Sequence, residues 1–437
     1  MKVFKNTIVY FVTTILNQSI PFILIPIITT KMGTVDVGNL SLFNIFNLVF
    51  STVTAFSLNA YLQYIYYREP NNVPKTVFNI LAISLISNVL LGIGNLLIFD
   101  HIEAYQDFPK YYAWLIPISS FFSLIYFIYL TLLRNKEKAL EYGILSVVMT
   151  FLNLGLSIYL IYYTDLLWES RAIPAIIVPI LMGIVTYNKL YKKNWIDWSL
   201  DYRLMKIALI YSLPFLGIVI LRQLLDFSDR FVLEYYCGLE SVGLYDIGYK
   251  IGMLVYVAIN SFHLVFVPKI YQKFSELEKE DSNDKRYYIV SMFHLYFVII
   301  ILITIGVLLG GKFLFYINYI DSSFQDAIFI YVPISISYFF YSLYTMSGVI
   351  IGQTFNNIYN LYVVAVGIVI NLVLNYFFVP IYGGVAAAMS TLFTFVVMYI
   401  ITFILANRMI RLPWFSRKSI TNSLSELQVL VKTLKKS

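Results

Sequence analysis

The chain has 437 residues, of which 59% are apolar and only 13% charged, and its formal net charge is +7. Soluble globular proteins are roughly 45–50% apolar and about 25% charged, so this composition excludes a soluble enzyme and a disordered protein. A single cysteine, Cys237, excludes a disulfide framework and a multi-cysteine metal site.

Continuous apolar stretches follow one another along the whole chain. A membrane-spanning helix needs about 20 apolar residues, whereas the strands of an outer-membrane barrel alternate apolar and polar residues. The longest polar connection, 269–287, is too short for a soluble catalytic domain. The sequence therefore predicts an all-α integral membrane protein with twelve transmembrane helices, at about 7–30, 39–64, 77–99, 112–133, 143–163, 172–190, 207–236, 242–267, 288–309, 325–350, 359–379 and 383–406.

The positive charges predict the orientation of these spans. With the N-terminus in the cytoplasm, 24 of the 31 Lys and Arg residues fall in cytoplasmic segments and four in outer connections. The remaining three, Arg222, Arg230 and Lys250, lie inside spans. Because cytoplasmic loops are enriched in Lys and Arg, both termini are predicted to be cytoplasmic. The net charge then reflects topology and anionic membrane lipid, and nucleic acid is not an expected partner.

Three short matches indicate an internal repeat of six spans. Ser19-Ile-Pro21-Phe22 matches Ser212-Leu-Pro214-Phe215, Gly33-x4-Gly38 matches Gly238-x4-Gly243, and Asn153-Leu154 matches Asn371-Leu372. Parallel repeats of this kind are related by an axis along the membrane normal and enclose a central cavity. The predicted domains are an N-terminal six-helix lobe at 1–198, a C-terminal six-helix lobe at 199–406 and a basic tail at 407–437. Coincidence is the competing interpretation, because such short matches are common in membrane helices.

Six charged residues on spans 7 and 8 form the main candidate site. A charge at the bilayer centre costs about 2.5–3.5 kcal/mol on insertion scales, so these side chains are expected to face one another or a wet cavity. In one interpretation they only pair within their own helices. In the other, the cations bind an anionic headgroup and the carboxylates hold a coupling cation or tune the cations. The cations are Arg222, Arg230 and Lys250, and the carboxylates are Asp226, Asp229 and Asp246.

Several uncharged polar residues and prolines within the spans are candidate cavity or hinge positions. Singly, each polar residue is more typical of packing between helices, but together they make spans 1, 2 and 8 more polar than the rest. The prolines are expected to kink span 1, because proline has no backbone N–H to continue a helix. The candidates are Asn17, Gln18, Pro21, Pro26, Asn260 and His263.

The tail at 407–437 is basic, and from Ile420 its apolar residues recur at the spacing of an amphipathic helix. We expect this helix to lie on the inner membrane face. The chain contains no Gly-x4-Gly-Lys-Ser/Thr motif, so it is not expected to hydrolyse nucleotide, and no cofactor is expected. Transport energy would come from a Na+ or H+ gradient, the membrane potential or downstream consumption of the product.

Short motifs in the second half of the chain resemble a known family. Pro214-Phe215, Asp229-Arg230-Phe231, Gly238-Leu-Glu-Ser-Val-Gly243-Leu-Tyr245 and Gly248-Tyr249-Lys250 are similar to the span 7–8 signature of bacterial polysaccharide flippases. Pro380-Ile-Tyr-Gly383 resembles the turn before their last span. These proteins are the Wzx-type O-antigen and capsule repeat-unit transporters of the multidrug/oligosaccharidyl-lipid/polysaccharide (MOP) exporter superfamily.

The resemblance implies two six-helix lobes around a V-shaped cationic cavity. It implies that an undecaprenyl-pyrophosphate-linked oligosaccharide moves from the cytoplasmic to the outer leaflet of a bacterial inner membrane, and that a polysaccharide polymerase and a chain-length regulator act alongside. The cationic role carries over to Arg230 within the motif and, by position, to Arg222 and Lys250. Spans 1–6 show no mid-membrane Lys or Arg in the sequence, which departs from a cavity that is cationic on both sides.

Three other functions compete with this interpretation. A cation-coupled multidrug antiporter of the same superfamily would have acidic cavity residues without the basic ones. A lipid II flippase usually has fourteen spans. A membrane glycosyltransferase or O-antigen polymerase needs a large outer loop with catalytic residues, which no outer connection here provides. The identity of the glycan is not readable from the sequence.

Overall fold

The computed structural model describes residues 9, 13, 16–17, 22–98, 109–279, 282–353, 358–419 and 421. Over these ranges the chain forms helices, short turns and loops without any strand, which confirms the predicted all-α class. The helices before residue 200 are α1 (Ile25–Lys31), α2 (Thr34–Ala55), α3 (Leu58–Arg68), α4 (Val73–Ile98), α5 (Tyr112–Asn135), α6 (Ala139–Tyr163) and α7 (Glu169–Lys192).

The remaining helices include two that are long enough to cross a membrane twice. At 1.5 Å per residue, 51 residues of helix extend about 75 Å, more than twice the roughly 30 Å hydrocarbon core. Each long helix is interrupted by a glycine with positive φ, Gly238 in α8 and Gly383 in α12. The helices are α8 (Tyr202–Gly252), α9 (Leu254–Lys279), α10 (Asn283–Tyr316), α11 (Ile328–Gln353) and α12 (Ile358–Met409).

Nine helical segments of the described residues are long and apolar enough to span a membrane. Two of them, Tyr202–Asn260 and Ile358–Met409, each contain two predicted spans. The nine segments therefore contain eleven of the twelve spans expected from the sequence. Span 1, at 7–30, lies mostly outside the described residues, so the count of twelve stays a prediction.

The second predicted span, 39–64, is not one continuous helix. Phe56 and Ser57 both adopt left-handed backbone conformations, with φ of 46° and 53°, and separate α2 from α3. Such a conformation costs a non-glycine residue on the order of 1–3 kcal/mol, so two in succession must be held by the surrounding packing. The sequence gives no sign of this break, because neither residue is Gly, Pro or Asn.

Packing divides the chain into two compact units. The first consists of residues 1–234 and 238–243, and the second of residues 235–237 and 244–437. The first stretch of α8, which the repeat assigns to the C-terminal lobe, thus packs within the first unit. Packing and repeat order are separate properties, so the predicted lobe boundary at 198/199 stays a prediction.

Two glycines of the predicted repeat allow α2 and α8 to approach closely inside the first unit. A Cβ on Gly38 would lie 2.2 Å from the Leu239 carbonyl oxygen, and a Cβ on Gly243 would lie 1.9 Å from the Thr34 carbonyl oxygen. Gly38 matches Gly243, and Thr34 matches Leu239, in the Gly-x4-Gly alignment. The contact is therefore reciprocal, because each glycine meets the residue that follows the first glycine of the other segment.

The segment between α7 and α8 is fixed to the first unit by side-chain hydrogen bonds. Asn79 donates to the Ser199 carbonyl and accepts from the Asp201 backbone N–H, both at 2.9 Å. Asp201 also pairs with Lys75 at 2.7 Å and accepts from the backbone N–H groups of Arg203 and Leu204, which caps α8. The start of α8 is therefore anchored and does not follow a free linker.

Candidate functional site

The charged face of α8 begins at Arg222, in the segment that belongs to the first unit. The Arg222 Nε and an Asp226 carboxylate oxygen are 3.8 Å apart, one helical turn along. The Arg222 side chain is 52% exposed and that of Asp226 is 27% exposed. The pair forms as one of the two sequence interpretations requires. It is long, however, and the Arg222 side chain is half-exposed; a guanidinium has five donors, in a forked geometry that matches phosphate oxygens.

Arg230 is held much more tightly than Arg222. It is 3% exposed, its Nε donates to the Ser41 hydroxyl on α2 at 3.2 Å, and its Nη1 donates to the Asp226 carbonyl at 3.2 Å. Its neighbour Asp229 is 1% exposed. The guanidinium thus joins α8 to α2, and its donors are engaged by the protein.

Two further contacts, one at each end of the charged face, hold α8 against α2. Gln223 donates from its side-chain amide to the Thr52 hydroxyl at 2.6 Å. Phe231 packs edge-on against Phe46, with ring centroids 5.8 Å apart. Sequence analysis did not single out Ser41, Thr52 or Gln223. The signal that could have identified Gln223 was its place beside Arg222 in an otherwise apolar span.

Asp246 and Lys250 form the second pair and belong to the second unit. Their charged atoms are 2.5 Å apart, and the side chains are 8% and 23% exposed. The pair is intrahelical at i, i+4, like Arg222 and Asp226, but it is shorter and more buried. The six predicted site residues therefore divide between the units, with four in the first and two in the second. Whether any of them binds substrate stays a prediction.

The candidates on the first span are only partly described. Gln18 and Pro21 lie outside the described residues. Asn17 donates to the Ser146 hydroxyl at 2.6 Å and accepts from Thr150 at 2.8 Å, so it joins span 1 to α6. Pro26 lies in the first turn of α1, after a turn at Leu24, where a missing N–H costs no helical hydrogen bond. The interruption is therefore just before Pro26, and the proline begins a helix.

The candidates on α9 have different surroundings. His263 is hydrogen-bonded through its Nε2 to the Tyr296 hydroxyl, and the two rings stack at an angle with centroids 5.3 Å apart. Tyr296 is 1% exposed, so the imidazole joins α9 to the core of the second unit. Asn260 is half-buried. The geometry of His263 is that of helix packing.

Arg171 is a cation that sequence analysis placed in an outer connection. It lies in the first turn of α7, and its Nη1 donates to the Asn153 side-chain oxygen at 3.1 Å and to the Ser157 hydroxyl at 2.7 Å, both on α6. The guanidinium thus joins the start of α7 to α6. The predicted span begins at 172, one residue later, within the few residues by which predicted helix ends are uncertain.

The sequence of the chain is similar to that of known proteins. Residues 3–274, more than half of the chain, match the model of a family described as "Polysaccharide biosynthesis protein". A protein of Haemophilus influenzae named "Lsg locus putative protein 1" is 24% identical over 279 residues, which cover 62% of this chain and 67% of that protein.

Two solved structures share the fold at low sequence identity. One is titled "Inward-facing conformation of a multidrug resistance MATE family transporter of the MOP superfamily", with a TM-score of 0.72, 15% identity and coverage of 90% of this chain and 94% of that chain. The other is titled "Lipid II flippase MurJ, inward closed conformation", with a TM-score of 0.72, 14% identity and coverage of 98% and 93%.

These structures are similar to the chain in fold alone, and by their titles one is a transporter and the other a flippase. The predicted all-α fold of the MOP type is thereby confirmed. The family match covers the first unit from residue 3 onward and continues into α9. The chain belongs to the polysaccharide biosynthesis protein family and has the fold of the MOP-superfamily transporters.

Proposed function

We propose that the protein flips an undecaprenyl-diphosphate-linked oligosaccharide repeat unit from the cytoplasmic to the outer leaflet of the bacterial inner membrane. The repeat unit would serve O-antigen or capsular polysaccharide synthesis. Membership of the polysaccharide biosynthesis family and a fold shared with a lipid II flippase support this function. A polymerase and a chain-length regulator would act on the flipped unit.

The observation that carries the proposal is the state of Arg222. It is a guanidinium in a membrane-spanning helix, half-exposed, with its carboxylate partner at 3.8 Å. An arginine so placed can exchange a weak partner for a diphosphate, because its forked donors match phosphate oxygens. Arg230, two turns further along α8, would add positive charge in the same unit, and Lys250 would be a headgroup cation of the second unit.

The three aspartates have a proposed supporting role. Asp226, Asp229 and Asp246 would restrain the cations between transport cycles, or bind a coupling Na+ or H+. The two predicted lobes, 1–198 and 199–406, would alternate in opening the cavity to each side, with both termini and the basic tail in the cytoplasm. The tail from Ile420 onward lies outside the described residues apart from Thr421, whereas Trp414 packs edge-on against Phe293 of α10.

The test is the leaflet accessibility of the lipid-linked oligosaccharide in cells of the native strain. Cells without the gene should accumulate repeat units that face the cytoplasm, and cells with the gene should present them in the outer leaflet. If units reach the outer leaflet equally well without the gene, the flippase function is wrong. Dye efflux would then test the cation-coupled antiporter.

An arginine series connects this function to the site. Arg222→Ala should abolish outer-leaflet presentation while the protein still inserts in the membrane. Arg222→Lys should retain part of the activity, because it keeps the charge and loses the forked geometry. Normal surface polysaccharide in the alanine variant would contradict a cavity role for Arg222.

A further inference from the structure

A pocket of about 240 Å³ lies inside the first unit, between α2, α3, α5 and α8, and it is lined by apolar side chains together with hydroxyl and amide side chains. Its walls include one phenylalanine ring, that of Phe127, and the side chain of Val219, one turn before Arg222. None of the described residues that line it is charged. Its polar side chains come from hydroxyl and amide residues, namely Ser51, Thr52, Ser57, Asn59, Ser120 and Ser123.

The strained break between α2 and α3 forms part of this pocket. Ser57, with a φ of 53°, lines it directly and precedes the first residue of α3. The side chain of Ser57 does not cap α3, whereas its carbonyl oxygen accepts a hydrogen bond from the Ala60 N–H at 3.0 Å. Strained, non-glycine backbone at a pocket is a reason to look for a ligand there.

Some of the polar side chains of the pocket are hydrogen-bonded to other residues, and one of their oxygen atoms is not. Ser51 and Ser120 share a hydrogen bond of 3.2 Å, and Thr52 accepts from Gln223. The side-chain oxygen of Asn59 is buried and has no hydrogen-bond partner among the described residues. Within a membrane, a buried acceptor without a donor is unfavourable, because no bulk water is present to satisfy it.

This combination of groups matches the chemistry of a sugar ring. Hydroxyl and amide groups donate and accept hydrogen bonds, as sugar hydroxyls require, and the face of Phe127 carries partial negative charge that attracts the C–H groups of a ring. The pocket is smaller than the roughly 300–1,000 Å³ of sites that enclose a drug-sized molecule. It therefore has room for a single ring and not for a whole repeat unit.

We propose that this pocket binds one sugar residue of the lipid-linked glycan while Arg222 holds the diphosphate. The inference rests on the proposed flippase function and names the part of the substrate that the pocket recognises. Neutral polar groups then select the glycan, and the guanidinium on the adjacent turn of α8 recognises the headgroup that all such lipids share. A coupling cation is the less suitable occupant, because the pocket has no carboxylate and one wall is aromatic.

The test separates glycan recognition from headgroup recognition. Outer-leaflet lipid-linked oligosaccharide is measured in gene-deleted native cells that carry wild type or a variant. The purified full-length protein in nanodiscs is then titrated with undecaprenyl diphosphate, which has no glycan, and its thermal shift is followed. Ser123→Leu fills the pocket, and Phe127→Leu removes the ring. Ser123→Thr keeps the hydroxyl, and Phe151→Leu replaces a 60% exposed ring on α6 that does not line the pocket.

We expect Ser123→Leu and Phe127→Leu to lower outer-leaflet presentation about tenfold, with the thermal shift for undecaprenyl diphosphate unchanged. Ser123→Thr should recover most of the activity, and Phe151→Leu should match wild type. Arg222→Ala, unlike the two pocket variants, should lose the thermal shift that undecaprenyl diphosphate produces in the titration.

Three results would count against the proposal, and they differ from one another. If both pocket variants transport like wild type, the pocket inference is wrong and the flippase function stands. If either variant also loses the undecaprenyl diphosphate shift, the damage is not confined to glycan recognition, which likewise overturns the inference. If wild type itself fails to restore outer-leaflet presentation, the proposed function is wrong and the inference falls with it.

Discussion

The parts of α8 before and after Gly238 carry the same kind of charge pair in different states. Arg222 and Asp226 are 3.8 Å apart and the arginine is half-exposed, whereas Asp246 and Lys250 are 2.5 Å apart and mostly buried. Their order along the helix differs too. The base precedes the acid in the first pair, whereas the acid precedes the base in the second, and the second order is the more favourable one in a helix. Equal spacing in sequence thus produces one loose pair and one tight pair.

The difference between the two pairs distinguishes a ligand-binding role from a structural role, which the sequence alone could not do. A loose, half-exposed pair contributes little to stability and can release its cation to a ligand. A buried pair is costly to break, since either charge alone would be left uncompensated in a low-dielectric environment. We therefore assign ligand exchange to Arg222 and a mainly structural part to Lys250, as a hypothesis that the following changes can test.

The largest effect is expected where α8 approaches α2 most closely, because no space is left there for an added side-chain atom. A Cβ on Gly243 would be 1.9 Å from the Thr34 carbonyl oxygen, so Gly243→Ala forces backbone to move. The decrease in the free energy of unfolding should exceed the roughly 1–3 kcal/mol of ordinary overpacking. It should also lower the yield of monodisperse protein in size-exclusion chromatography.

Gly217→Ala is the matched control on the same helix, because a Cβ there meets no atom within 4 Å. It should leave the yield unchanged, or raise the unfolding temperature slightly through the higher helix propensity of alanine. Equal yields for the two alanine variants would show that α2 and α8 do not approach as closely as the structure has them.

The next effect concerns the tight pair. Lys250→Met should destabilise the protein by about 3–5 kcal/mol, because it leaves Asp246 buried without its counter-charge. The double variant Asp246→Leu/Lys250→Met should recover much of this loss. Thermal unfolding in detergent measures both. A Lys250→Met variant as stable as wild type would contradict the structural role of the pair.

Removal of the loose pair should have a smaller effect on stability and a larger one on transport. Because Arg222 is half-exposed, Arg222→Met should cost only about 0–1 kcal/mol in the same thermal assay. Its outer-leaflet presentation of lipid-linked oligosaccharide should nevertheless fall as in Arg222→Ala. If the two pairs prove equally costly to remove, the distinction between them is wrong.

The smallest effect is expected at the anchored start of α8. The hydrogen bond from Lys75, and the N–H of Leu204, hold the pKa of the Asp201 carboxyl below its usual range. A carboxyl with a lowered pKa in the folded state stabilises fully above its ordinary pKa and loses that contribution as the pH falls through the folded value. Asp201→Asn keeps the helix cap but loses the ion pair with Lys75.

Trp198 is suited to report this change, because it is 60% exposed and packs on Phe78 beside the anchored segment. Its fluorescence should stay constant from neutral pH down to about pH 5 and change only at more acidic pH. In Asp201→Asn the acid transition should be absent. A transition near neutral pH would assign the signal to another group.

The sequence by itself determined the class of the protein and most of its spans. Apolar runs of helical length admit only membrane helices, since backbone groups must be bonded within the segment. The Gly-x4-Gly matches also favoured a repeat over coincidence, and the two matched segments are the ones that the structure brings into close contact. Gly383 was likewise placed correctly at the turn before the last span, where its φ is 58°.

Only the tertiary structure decided which polar residues share a site. The break at Phe56 and Ser57 has no sequence signal, because surrounding packing, not local propensity, holds a left-handed backbone there. The hydrogen bonds of Arg171 with Asn153 and Ser157 likewise depend on how α7 packs against α6. The pairing of Arg230 with Ser41, 189 residues apart, depends on how α8 packs on α2, and periodicity along one chain carries no information on such distant contacts.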